Sequence, residues 1–309
     1  MIQELRRTLR FDHYVFVLTD PATSVGVDPL ADLPGVPDLA RTIRLKYATG
    51  LNRWTSLEGV ASLGQDAAAS RLWREVQQPL GITDVVSVVF RDSFGCWGFL
   101  DLWLREQLQP DQRHLLERVA PVVTTALRAA VAGTLRQVPT VPPGASGPAA
   151  LLLDDDLRVT GSTQAMDDRL RSLLPGRDGV QPVPAAAFNV AAQLLSVEDG
   201  VDHNDPTART HLAEGRWVVV RAARLRPSGS ISVSVEPTTP AERLDLCVRA
   251  FGLTPREADI VRKVAQGLDT AQIAAELHLA PYTVQDHLKS VFAKARVGSR
   301  RDLVPMLAG

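Results

Sequence analysis

From Thr254 to Leu307 the sequence reads as four short helices in close succession, and nothing else in the chain constrains its fold so tightly. Thr254 is a natural N-cap, Pro255 falls at the first helical position, and Glu257 stands three after Thr254, the spacing of a capping box. Ala258, Ile260, Val261 and Val264 form the buried stripe of that helix, and Gly267 ends it. Thr270 reads as the cap of a second helix, with Ile273, Ala274 and Leu277 inward. A tight turn at His278–Ala280 leads to Pro281, which opens a third helix with Val284, Leu288, Val291 and Phe292 inward. Ser299 caps a fourth, carrying Leu303, Val304 and Leu307.

A tight turn between the second and third of these helices predicts a helix-turn-helix. In that motif the second helix of the pair places its N-terminal residues in the major groove of DNA. Because Val284 and Leu288 face the core, Gln285, Asp286 and Lys289 face outward. Gln pairs with adenine edges, Asp accepts from cytosine N4, and Lys donates to guanine O6 or N7. Tyr282, Thr283, Lys294, Arg296, Arg300 and Arg301 are expected to touch phosphates, which set register and affinity without reading sequence. The competing reading is a four-helix bundle for protein contacts, whose periodicity is the same. Charge separates the two only weakly, although Lys289, Lys294, Arg296, Arg300 and Arg301 all lie in or after the third helix.

The stretches LTPRE, VAQGL, IAAEL, TVQDHLKSVFAKA and SRRDLV resemble the LuxR-type DNA-binding domain shared by quorum and two-component regulators. The resemblance implies base contacts at Gln285, Asp286 and Lys289, and dimers on two-fold DNA sites. It also implies a dimer contact between DNA-binding domains through the fourth helix, around Leu303, Val304 and Leu307. Three positions depart from the common pattern. Gln285 stands where many relatives have a basic residue, His278 where many have glycine, and Ala280 where many have a Ser or Thr cap. The first bears on which DNA sequence is bound, and the last removes one helix cap.

The remaining residues form other units. At 309 residues the length prior is about two to three domains. Apolar content of 45%, charged content of 22% and a net charge of −1 are those of a globular protein whose basic surface is local. Residues 1–10 predict a helix and FDHYVFVLTDP a strand, DPLADLPGVPDL a loop, TIRLKYA a second strand, and 64–78 a helix. VVSVVFRD and GCWGFLDLWL predict a hairpin turning at Asp92–Gly95. A long amphipathic helix follows over 111–135, with a kink or break at Pro121. VPTVPPGASGPAA reads as a linker. Beyond it, ALLLDDDLRVTG predicts two short strands turning at Asp154–Asp156. TQAMDDRLRSLLP and VPAAAFNVAAQLLS predict helices, the latter with Pro184 in its first turn, and RWVVVRAARL and SISVSVEP a strand pair around Pro227–Gly229. No internal repeat is visible.

The fold class expected is thus α+β multidomain. Residues 1–136 resemble a GAF domain, a small-molecule sensor fold that often dimerises through its terminal helices; GCWGFLDLWLREQLQPDQRHLLERVAPVVTTAL carries most of that likeness. Residues 137–148 are the linker. Residues 149–240 resemble a PAS domain through ALLLDDDLRV and the closing strand pair, and 250–309 form the all-α helix-turn-helix domain.

Other chemistry finds little support in the sequence. Cys96 and Cys247 have no CxxC spacing and point to a reducing cytosol. Cys96 reads as a small buried hydrophobe, with no Cys-His context for a bilin and no second cysteine for a sulfoxide reductase. His203 and His211 lack a matching ligand pair, so no metal is expected. No phosphoacceptor cluster, Walker loop, nucleophile elbow or dinucleotide fingerprint is present, so neither an enzyme nor a cofactor is expected. The N-terminal charges fit no export signal, and no apolar run is long enough for a membrane span. Tyr47, Trp54 and Trp97, with Trp73 and Trp103, could line an effector pocket, although core aromatics more often simply pack. The reading is a cytoplasmic, homodimeric, one-component transcription regulator of double-stranded DNA, with RNA polymerase and a small effector as further partners. Three rivals stand beside it: N-terminal domains that only dimerise, an enzyme seated in the GAF-like unit, and a protein-interaction module that uses the same helices without DNA.

Overall fold

The structure, a computed structural model, describes residues 2–33, 39–137, 147–173, 185–212 and 216–308. Most of the expected linker, and Pro184, lie outside the described residues. The chain forms two compact units. One comprises Met1–Thr125, Ala145–Thr210 and Val218–Glu236, the other Ala126–Gly144, His211–Trp217 and Pro237–Gly309.

The first unit contains two five-stranded sheets. Helix α1 (Ile2–Leu9) buries Leu5 and Leu9, as the period predicts. Strand β1 (His13–Thr19) follows, then β2 (Gly26–Asp32), where a loop was expected. Pro29 suggested the loop, but β2 is the edge strand of its sheet, the one place where a proline removes no needed ladder bond. TIRLKYA is not a strand either. It lies in helix α2 (Leu39–Ala48): Ile43, Leu45 and Tyr47 alternate as in a strand, but Ile43 and Tyr47, four apart, also share a helix face, so both periods fit over so short a run. Strand β3 (Val60–Ser62) precedes the predicted 64–78 helix. That segment is instead a 3-10 turn at Gly64–Ala69, a π turn at Trp73–Gln77 and a 3-10 turn at Gln78–Leu80. Ser70 is extended, and its hydroxyl takes the Trp73 N–H at 3.2 Å, so the helix stops and restarts.

The hairpin of β4 (Asp84–Asp92) and β5 (Gly95–Leu104) forms as expected. Gly95 is required at its turn. It sits at φ +151°, and a Cβ there would meet the Pro21 carbonyl oxygen at 2.2 Å. The sheet order is β2-β1-β5-β4-β3. Helix α3 (Pro110–Leu135) passes Pro121 without a break. Leu116, Ala120 and Thr124 remain buried at four-residue steps through the proline, and packing of that stripe holds the helix together.

The second sheet comprises β6 (Ala149–Leu153), β7 (Val159–Ser162), β8 (Thr207–His211), β9 (Trp217–Arg224) and β10 (Ile231–Pro237), in the order β7-β6-β10-β9-β8. His211 ends β8, a strand where no element was expected. Counted within each sheet, both follow the order 2-1-5-4-3, so the unit holds one topology twice. Helix α4 (Gln164–Leu173) follows β7. Helix α5 (Ala185–Glu198) is buried almost all round and packs on α2 and β2. Buried charges join the halves of this unit. Arg209 grips Asp20 with Nε and Nη2, each at 2.7 Å, and Arg53 reaches Asp202 at 2.6 Å.

The second unit carries α6 (Pro240–Ala250), α7 (Pro255–Ala265), α8 (Thr270–Glu276), α9 (Pro281–Ala295) and α10 (Arg300–Ala308). Leu246, Cys247, Ile260, Val261, Val264, Ile273, Val284 and Val291 form its core. No helix among the described residues is long and apolar enough to cross a membrane.

Candidate nucleic-acid interface

Helix α7 begins with the predicted capping box. The Thr254 hydroxyl accepts from the Glu257 N–H, and Glu257 Oε2 accepts from the Thr254 N–H at 2.6 Å. Glu257 has a second task that its sequence context did not reveal. Its carboxylate also accepts from Ser290 Oγ and from Lys294 Nζ, both at 2.6 Å and both on α9. Burial pushes the Glu257 carboxyl up, but the bonds from Lys294, Ser290 and the Thr254 N–H outweigh it and hold the pKa down at about 2. One carboxylate thus caps α7 and fixes α9 against it.

Helix α8 is held from the same side. Arg256 Nη2 donates to the Leu277 carbonyl at 2.8 Å, and Lys263 meets Glu276 at 2.6 Å. The cap of α8 is Asp269, not Thr270: its carboxylate accepts from Gln272 N–H, and Gln272 answers in a full capping box. An aspartate beside a threonine makes either a plausible cap, and only the backbone decides, Asp269 being extended. At the turn His278 adopts φ +52°, the left-handed region that glycine enters at least cost. Ala280 is the N-cap of α9 and offers no side-chain bond.

Val284, Leu288 and Val291 are buried, and Gln285, Asp286 and Lys289 are exposed on the opposite face of α9, the first two in its N-terminal half and Lys289 just past its middle. Lys289 Nζ meets Asp286 Oδ1 at 3.0 Å, a solvated pair that costs little to open. Tyr282 is 70% exposed, Thr283 is half-buried, and Arg296 and Arg301 are exposed. The other two phosphate candidates are already engaged. Lys294 is committed to Glu257 and to the Gly252 carbonyl, and Arg300 donates to the Leu268 carbonyl. On α10, Leu303 and Leu307 are 1% and 2% exposed and belong to the core of their own unit, which leaves Val304, at 37%, as the outward residue. Phe292, expected inward, is only half-buried.

Arg243 on α6 is a further anchor that periodicity does not disclose. It is buried, and donates from Nε to the Met306 carbonyl at 2.7 Å and from Nη2 to the Leu135 carbonyl at 3.2 Å. Both acceptors lie in the last turn of a helix, where carbonyls lack partners.

The three pocket candidates in the first unit are packed. The Trp54 indole stacks on Phe99 at 4.7 Å and meets the Tyr47 ring edge-on at 4.8 Å. Its N–H donates to the Ser24 carbonyl, the Tyr47 hydroxyl accepts from the Gly26 N–H, and the Trp97 N–H donates to Asp92. Cys96 is buried and free. No group of His, Cys, Asp or Glu that could hold a metal ion occurs among the described residues.

Residues 252–307 match the family model described as bacterial regulatory proteins, luxR family. A Mycobacterium bovis protein provisionally named an HTH-type transcriptional regulator is 50% identical over 57 residues, 18% of this chain and 6% of that protein. The nitrate/nitrite response regulator protein NarL of Escherichia coli strain K12 is 28% identical over 158 residues, 50% of this chain and 70% of NarL. The chain therefore spans only a small part of the mycobacterial relatives and about two thirds of NarL. Among solved structures, Escherichia coli SdiA aligns at 14% identity over 99% of this chain and 86% of its own, with a TM-score of 0.29. A score this low says nothing about a shared fold.

Proposed function

We propose that, with residues 252–307 belonging to the luxR family of bacterial regulatory proteins, the whole chain is a sequence-specific transcription regulator that binds operator DNA through α9. The observation that carries this is the exposed set Gln285, Asp286 and Lys289 on a helix fixed from behind by Glu257. Base-reading side chains need such a rigid mount, because a recognition helix that rocks cannot hold bidentate geometry. Phosphate contacts come from Tyr282, Thr283, Arg296 and Arg301, with Lys294 and Arg300 acting mainly as internal struts. The regulator is a cytoplasmic homodimer on a two-fold site, and a dimer contact on α10 runs through Val304.

The first unit is the control module, and its repeated 2-1-5-4-3 sheets support the GAF-like and PAS-like reading of 1–136 and 149–240. Any effector acts by binding the DNA-competent and incompetent arrangements with different affinity. Helix α3 contributes residues to both units and is the element we assign to carry that difference. A second reading, control domains that only dimerise, is favoured by the close packing of Tyr47, Trp54 and Trp97.

Selection of random duplex DNA by the full chain at near-physiological salt tests the function. Recovery of a two-fold symmetric motif that Lys289→Ala fails to enrich is the expected result. If the full chain enriches no motif and residues 250–309 alone enrich none either, the reading is wrong.

A further inference from the structure

We infer that the first unit binds a small neutral molecule bearing an amide or lactam edge, at a cavity lined in part by Gln77. This inference rests on the reading of that unit as a control module. Its key is one side chain. Gln77 is 1% exposed, yet neither its Oε1 nor its Nε2 meets a hydrogen-bonding group among the described residues. A buried amide left so is costly, on the order of 1–3 kcal/mol for each unmet group. Gln77 ends the π turn Trp73–Gln77, an uncommon backbone form that recurs at functional sites.

Gln77 is one of the residues that line a cavity of about 20 Å³. That is room for a water or a compact polar group. Leu63, Leu72 and Val85 form apolar walls, and the lining reaches partly exposed Thr49, Leu51 and Asn52. The cavity's charges cancel. Lys46 meets Asp101 at 2.7 Å, and Ser87 Oγ donates to the other Asp101 oxygen at 2.7 Å.

These features select a chemistry. A carboxamide presents a donor and an acceptor side by side on one edge, and the complement is another such edge. A cis amide, lactam or imide satisfies both Gln77 atoms at once, whichever way the Gln77 amide is turned. A carboxylate offers no proton to Oε1, and it gains no net charge from a lining whose cation is already paired. An ammonium offers no acceptor to Nε2. The amide edge therefore enters the cavity, and the rest of the ligand lies toward Thr49 and Asn52.

The test uses the full chain and 2-pyrrolidinone as the probe, followed by ligand-observed NMR without DNA. Saturable binding with a Kd on the order of millimolar is expected for so small a molecule. N-methyl-2-pyrrolidinone, which lacks the donor, and acetate, which is charged, should each bind at least tenfold more weakly. Gln77→Met, of similar volume but without the amide, should weaken 2-pyrrolidinone binding at least tenfold. Absence of saturation, equal binding of the N-methyl compound, or unchanged binding by a folded Gln77→Met would each overturn the inference. The methylation comparison needs no variant, so it decides the matter even where Gln77→Met does not fold. Enrichment of a DNA motif by the same preparation is independent of either result, so loss of this site and loss of the regulator reading are distinguishable.

Discussion

Arg53 donates from Nε to Asp202 Oδ2 over 2.6 Å, across 149 positions of sequence, with both side chains buried. Its Nη2 reaches Gln193 Oε1 and Ser196 Oγ on α5, and its Nη1 reaches the Tyr47 carbonyl at the end of α2. Asp202 is also held by the Thr55 hydroxyl at 2.8 Å and by the Asn204 N–H at 2.9 Å. One guanidinium therefore ties α2 to α5 and to the loop before β8. Removing Asp202 leaves that guanidinium buried against neutral acceptors only. Asp202→Ala should lower the stability of the first unit by about 3–5 kcal/mol, with Arg53→Met/Asp202→Ala losing less than the two single changes summed. Urea unfolding of the four proteins measures this; a single-variant loss under about 1 kcal/mol contradicts it.

Acid should act on both units. Burial pushes the Asp202 carboxyl up, but the Asn204 N–H, the Thr55 hydroxyl and Arg53 outweigh it, leaving a pKa of about 2, below the ordinary 3.8. Glu257 lies at about 2, below the ordinary 4.5. A folded pKa below the unfolded one means that the unfolded chain binds more protons in between. The stabilisation is therefore complete above the ordinary values and is lost as pH falls from about 4.5 toward 2. Denaturant midpoints across that range should fall steeply, and Glu257→Gln should flatten the part belonging to the second unit.

The recognition helix can be stabilised at its own entrance. Ala280 caps α9 without a side-chain bond, so Ala280→Ser should add roughly 1 kcal/mol. His278→Gly should add about 0.5–1 kcal/mol by relieving the left-handed backbone at φ +52°. Thermal melts of the two variants check both, and a melting temperature that falls in either counts against the corresponding account.

On DNA the basic residues should divide into two kinds. Lys289→Ala should cost about 1–3 kcal/mol at one base pair and relax specificity there. Arg301→Ala should weaken all sequences alike and reduce the slope of log affinity against log salt by about one. Lys294→Ala, which strips Glu257 of its cation, should lower melting temperature more than it changes the salt slope. Binding isotherms at several salt concentrations, set beside melts, separate these outcomes.

Arg243→Met should leave the carbonyls of Leu135 and Met306 without their buried donor and cost about 1–3 kcal/mol in the second unit. Faster amide exchange in the last turns of α3 and α10 is the specific sign; uniform destabilisation without it points to lost packing instead.

The helical end of this protein was legible in its sequence because each signal is local. A capping box needs Thr254 and Glu257 three apart, a proline opens a helix, and an apolar stripe reports its own period. The exposed placement of Gln285, Asp286 and Lys289 follows from the buried placement of Val284 and Leu288, since a helix fixes both at once. The β4–β5 hairpin was readable for the same reason. Short runs were not. TIRLKYA satisfies either period, and Pro29 forbids a strand only where a neighbour would need its N–H, which an edge position does not. What only the tertiary structure decided are relations between distant residues. These include Glu257 serving two helices, Leu303 and Leu307 turned into their own core, the second copy of the sheet order, and Arg53 with Asp202. Backbone periodicity reports which face of an element is apolar. It carries no record of which distant face will cover it, because packing and charge pairing are settled by shape and distance in three dimensions.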